Sequence, residues 1–144
     1  MNCTCGTDLT YENCCEPFIL GRQNAPTPET LMRSRYSAFV KGALSYIKDT
    51  LASESHVDYD EKEVAKWAQN SEWLGLEVIE AKGTTVEFIA KYKTEGKVFE
   101  HHEVSKFKKR GDRWYFLDGD SHVHEEGQGH HHEPQKPYVR ATPK

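Results

Sequence analysis

All four cysteines of the chain fall within its first fifteen residues, as Cys3, Cys5, Cys14 and Cys15 in the pattern C-x-C-x8-C-C. Pairs this close in sequence cannot staple distant parts of a fold, and a disulfide framework would accompany a secretory leader. What four such sulfurs do well is surround one ion: zinc takes four thiolates tetrahedrally at about 2.3 Å. Zinc is the expected metal, and iron, which also accepts tetrahedral sulfur, is the alternative. With every position filled by protein, no site remains for a catalytic water, so the centre reads as structural or partner-docking. Reactive redox thiols are the rival reading. The loop supports the metal: Gly6 gives an unhindered backbone, Asp8 can accept from exposed backbone donors, and Leu9 and Tyr11 add apolar surface.

A second group of chemistry-bearing residues comes together only through the elements that position it. Thr27-Pro28 reads as a helix cap followed by proline at the first helical position. Met32, Tyr36, Phe39, Val40, Ala43, Ile47 and Leu51 then step by three and four, predicting one amphipathic helix over about 28–51, with Gly42 inside it. A shorter helix is predicted over 60–70, on Val64, Trp67 and Ala68. After it the period becomes two, in Leu74-Leu76-Val78 and in Val86-Phe88-Ala90-Tyr92. Glu95-Gly96 predicts a two-residue hairpin that sets Tyr92 opposite Phe99, Ala90 opposite His101, Phe88 opposite Glu103 and Val86 opposite Ser105. A turn around Arg110–Asp112 would return Trp114, Phe116 and Asp118 to the face of Phe107.

Helices first and then a curved antiparallel sheet is an α+β arrangement. It places Arg33, Tyr36, His101, Glu103, Ser105 and Asp118 on the apolar faces. An inward arginine and inward carboxylates should pair, because an unpaired buried charge costs several kcal/mol. The plain expectation is an ion pair of Arg33 with Glu103 or Asp118 that fixes helix against sheet. The alternative is a pocket for a small ligand, with Glu103, Asp118 and His101 as acid and base candidates. No nucleophile elbow, phosphate loop or dinucleotide fingerprint occurs, so an enzyme is not the first reading.

The chain has 144 residues, 36% hydrophobic and 29% charged, with a net charge of −4. One compact domain plus attachments fits that length. A negative balance without a long basic stretch argues against a duplex DNA binder. Lys106, Lys108, Lys109 and Arg110 form one small basic edge, read as protection of a strand edge, with a weak RNA contact as the alternative. No apolar run exceeds four residues (Trp114–Leu117), so neither a membrane span nor a signal peptide is expected, and the cytoplasm is the expected compartment. Residues 122–144 are polar, carry five of the eight histidines including His130-His131-His132, and read as an extended tail with adventitious metal affinity.

Cys3-Thr4-Cys5-Gly6 with Cys14-Cys15 resembles the SEC-C motif, known from the C-terminal end of the preprotein translocase ATPase. Leu31-Met32-Arg33-Ser34-Arg35-Tyr36-Ser37-Ala38-Phe39, Glu72-Trp73-Leu74-Gly75-Leu76, Glu103-Val104-Ser105-Lys106-Phe107 and Trp114-Tyr115-Phe116-Leu117-Asp118-Gly119 are similar to the YchJ-like family of small bacterial proteins. The likeness covers about residues 1–120. It implies a metal knuckle over 1–20 and a nuclear-transport-factor-2-like, cystatin-like cone over 26–121, with the polar residues 122–144 beyond both as a tail by composition. It also implies docking of a protein or ribosomal partner by the knuckle, linked to translocation or nascent-chain handling. Thr7 stands where the family usually has serine, and the histidine-rich tail stands where many members carry a second SEC-C motif.

Overall fold

The computed structural model describes residues 2–125, so His130–His132 and the proline-containing end lie outside the described residues. A 3-10 turn at Tyr11–Asn13 is followed by helices α1 (Glu16–Ile19), α2 (Pro28–Lys41) and α3 (Leu44–Asp49). A second 3-10 turn at Ser53–Asp58 leads to helix α4 (Glu61–Asn70) and strands β1 (Glu72–Lys82), β2 (Thr85–Thr94), β3 (Lys97–Arg110) and β4 (Arg113–Glu125). The strands form one antiparallel sheet in the order β1-β2-β3-β4, giving the α+β arrangement.

Thr27 caps α2 through a 3.1 Å bond from the Thr30 amide to its hydroxyl, and Asp60 caps α4 by accepting from the Glu63 amide at 3.2 Å. The predicted single helix over 28–51 is two. Gly42 adopts φ +76°, a left-handed conformation that costs glycine little and ends the helix. The chain restarts as α3, which buries Tyr46 and Ile47.

The Glu95-Gly96 hairpin has the expected register, with Tyr92, Ala90, Phe88 and Val86 opposite Phe99, His101, Glu103 and Ser105. Along β3, Phe99, His101, Glu103, Ser105 and Phe107 are all buried. The next hairpin starts as expected, with Phe107 opposite Phe116, and then departs from the expectation. A bulge leaves Leu117 as the extra residue, so Asp118 pairs with Lys106 and Gly119 takes the inward place opposite Ser105. Tertiary bonding explains the bulge. The N–H of Phe116 donates to the Thr50 carbonyl at 2.7 Å, and its own carbonyl accepts from the Ala52 amide at 2.8 Å, tying this point of β4 to the segment after α3.

Residues 122–125, read from sequence as the start of a tail, instead complete β4. Val123 is buried with Trp67, Tyr92 and Phe99, and Glu125 pairs opposite Phe99. Burying that valine against three aromatic rings favours extending the strand.

Candidate functional site

Residues 2–10 fold back on themselves. Asn2 and Thr10 form an antiparallel bridge, the Cys3 amide donates to the Leu9 carbonyl at 2.7 Å, and the Gly6 amide donates to the Cys3 carbonyl at 3.1 Å. Gly6 has φ +96°, and a Cβ there would press on the Leu76 carbonyl at 3.3 Å, so a side chain at this turn meets both strain and β1. The 3-10 turn then delivers Cys14, and Cys15 forms the N-cap of α1.

This path brings all four Sγ atoms within 4.8 Å of one another. Cys5 and Cys14 are 3.6 Å apart, and Cys14 and Cys15 are 3.9 Å apart. Four sulfurs at about 2.3 Å from one zinc ion are separated by about 3.8 Å along each edge of the tetrahedron. The observed spacings therefore fit a tetrahedral ion without rebuilding the loop. All four are free thiols, three of them buried and Cys14 half-buried.

Few other donors serve these sulfurs. The Thr7 hydroxyl lies 3.1 Å from Cys14 Sγ, and the Ser37 hydroxyl 3.7 Å from Cys3 Sγ. A hydrogen bond from Cys15, helped by bonds from Thr7 and Cys14, holds Cys5 at a pKa of about 4. Burial pushes Cys14 up to about 11, and the bond to Cys5 with burial pushes Cys15 higher still. The sulfurs thus compete for protons as a group, which is the chemistry a cation resolves by replacing the protons. Cys3, Cys5 and Cys15 also belong to the main hydrophobic cluster, together with Leu31, Met32 and Phe39 of α2. The cysteines are therefore part of the core that α2 packs into, and the knuckle and the α+β domain share it.

The residues expected to share a pocket separate into two places. Arg33 does not face the sheet: its Nε donates to Glu29 at 3.0 Å and its Nη1 to the Cys5 carbonyl at 2.7 Å, bracing the knuckle. Asp118 is turned to the other face of the sheet by the bulge, so the expected Arg33 pairing with Glu103 or Asp118 is absent. The arginine in the core is Arg35, only 6% exposed. Its Nη1 donates to the Ile47 carbonyl at 2.8 Å and to Thr50 Oγ1 at 2.6 Å, and its guanidinium lies 4.9 Å from the Phe116 ring centroid.

His101, Glu103 and Ser105 do come together. Glu103 accepts from His101 Nε2 at 2.8 Å on one oxygen and from the Ser105 hydroxyl on the other. This is not a nucleophile triad, because serine and histidine both address the carboxylate and not each other. Glu103 and Ser105 line a cavity of about 40 Å³ with Arg35, Tyr36, Trp73 and Phe116. Tyr36 is buried there, and burial lifts its hydroxyl to a pKa of about 12. Gly119 makes room for the carboxylate: a Cβ at this position would overlap Glu103. Gly119→Ala is accordingly expected to dislodge Glu103 from His101 and Ser105 and to cost about 2–3 kcal/mol. An unchanged urea midpoint in that variant would show that the carboxylate has somewhere else to go.

Sequence reasoning missed Arg35, Ser34, Ser37 and Gly119. All but two of the α2 residues from Leu31 to Val40 are buried, since the knuckle covers one side and the sheet the other. One apolar stripe therefore could not rank the two arginines. The usable signal was small residues at close-packed positions: Ser34, Ser37 and Ala38 are all fully buried.

A family model described as the YchJ middle NTF2-like domain matches residues 27–119. A UPF0225 protein of Geobacter sulfurreducens is 43% identical over 124 residues, covering 81% of this chain and 77% of that protein. A UPF0225 protein of Serratia proteamaculans is 40% identical over 126 residues, covering 81% of each. The solution structure of a SEC-C motif containing protein from Rhodopseudomonas palustris superimposes with a TM-score of 0.77 at 40% identity, covering 83% of this chain and 98% of that one. The crystal structure of a SEC-C motif containing protein from Psychrobacter arcticus gives 0.69 at 35%, covering 81% and 80%.

Proposed function

The chain belongs to the YchJ-like family, and from that premise we propose that it is a metal-binding accessory protein whose SEC-C knuckle docks a partner of the ribosomal, translocation or nascent-chain class. The observation that carries this reading is the cysteine cluster, four sulfurs within 4.8 Å at tetrahedral spacings. Cys3, Cys5, Cys14 and Cys15 would hold the ion, with zinc preferred over iron. A closed thiolate site supplies no open coordination position, so its work is to fix the loop that carries it. Leu9 within that loop and Leu20 just beyond it are each 54% exposed, which offers apolar contacts to a docked protein. Free thiols of this kind belong in a reducing cytoplasm. Among the described residues, no helix is long and apolar enough to cross a membrane.

Co-sedimentation with purified ribosomes tests the docking step. The wild-type protein should pellet with ribosomes and the Cys14→Ser/Cys15→Ser variant should stay in the supernatant. Equal behaviour of the two would remove the knuckle from the contact.

A second reading has one observation in its favour: Arg35 and Glu103, opposite charges, both line the inner cavity. A small polar ligand bound there should raise the melting temperature of the wild type and not that of Glu103→Gln.

A further inference from the structure

The outer face of the sheet carries a second set of metal-ligating side chains. Val123 points inward, so alternation puts His122 and His124 on the opposite face of β4. The register then sets His122 directly across from His102 on β3, and His124 across from Glu100. Directly opposed residues on antiparallel strands hold their Cβ atoms about 5 Å apart, within reach of a shared ion for two imidazoles.

The three rings form a row. Centroids of His102 and His122 are 6.3 Å apart, and those of His122 and His124 are 6.2 Å apart. Two imidazoles on one ion, at about 2.1 Å per nitrogen, have centroids about 5 Å apart. His122 is exposed and His124 half-buried, so closing one ion within the row takes rotation of both side chains toward His102.

His102 is already oriented for such a role. From the β2 side, Glu87 Oε2 accepts from His102 Nε2 at 2.7 Å. A ligating histidine commonly donates its second N–H to a carboxylate, which fixes the tautomer and raises the basicity of the other nitrogen. Here the bond to Glu87 leaves Nδ1 as the nitrogen with a free lone pair. Glu100, opposite His124 and 3.8 Å from Lys91, provides a carboxylate beside the row.

We propose that His102, His122 and His124 form a surface site for one divalent transition-metal ion, with Glu87 as the positioning residue. Imidazole donors suit nickel, copper or zinc. The site shares no donor with the cysteine cluster and lies on the exposed face of the sheet, so its ion exchanges with solvent while the buried thiolates keep theirs.

Nickel titration of the full chain, purified with its knuckle metal in place, tests the proposal by calorimetry and by paramagnetic broadening of amide resonances. Wild-type protein should bind Ni²⁺ and lose the amide signals of residues around 102 and 122 first. His102→Ala/His122→Ala should weaken binding at least tenfold, and Glu87→Gln by about tenfold or more, as loss of an outer-shell carboxylate does. Both substitutions lie on the outer face, and circular dichroism should show an intact sheet. Replacing His130, His131 and His132 by alanine should leave the broadening on the strands in place. Wild-type affinity in the strand double variant, or broadening that vanishes with the three downstream histidines, would overturn the site. An unfolded double variant leaves the wild-type broadening map to decide.

Discussion

Replacing Cys5 by serine is expected to empty the cysteine cluster of its ion and to lower the melting temperature of the whole domain. The side chain is fully buried, its sulfur lies 3.6 Å from that of Cys14, and its carbonyl receives the guanidinium of Arg33 from α2. One residue thus serves the coordination sphere, the knuckle and the helix against which the sheet packs. Structural zinc contributes about 10–16 kcal/mol in peptides that fold only around it. This domain has a sheet and helices of its own, so only part of that free energy is needed for its stability. Elemental analysis should fall from about one ion per chain to nearly none, and a strong chelator added to wild type should reproduce the thermal shift. Cys14→Ser should lose the ion as fully but destabilise less, since Cys14 is only half-buried. A Cys5→Ser protein that melts with wild type would detach the knuckle from the core.

The knuckle was legible because its chemistry is local: four residues of one type at metal-ligand spacing need no tertiary information to be noticed. The β2–β3 pairing was legible for a related reason. A two-residue turn at Glu95-Gly96 sets the parity of every later pair, so His101, Glu103 and Ser105 fall inward without any packing argument. What sequence could not supply was set by distant contacts. The bulge at Leu117 exists where Phe116 bonds to Thr50 and Ala52, sixty-odd positions earlier in the chain, and it exchanges Asp118 for Gly119 on the inner face. Gly42 gave a local sign of its break, yet whether a glycine kinks, ends or merely weakens a helix depends on what the following segment can bury. Here that segment carries Ile47, fully buried, and Tyr46.

The two arginines of α2 separate these levels most directly, and Arg35→Ala is expected to be among the costliest single changes in the domain. Its Nη1 serves two buried acceptors, the Ile47 carbonyl at 2.8 Å and Thr50 Oγ1 at 2.6 Å. A buried acceptor left without its donor costs about 1–3 kcal/mol, and loss of the cation–π contact with Phe116 adds about 1 kcal/mol. The total expected is about 3–5 kcal/mol. Arg33→Ala should cost about 1 kcal/mol. Its ion pair with Glu29 is a part-exposed i,i+4 contact, and only its bond to the Cys5 carbonyl lies in less accessible surroundings. Arg35→Lys should fall between them, because an ammonium keeps the charge but cannot lie flat on Phe116 while holding both acceptors. Urea unfolding of the three variants gives the order directly from their midpoints. Equal midpoints for Arg33→Ala and Arg35→Ala would mean that α2 is rotated relative to the sheet, and would move the guanidinium out of the cavity it shares with Glu103.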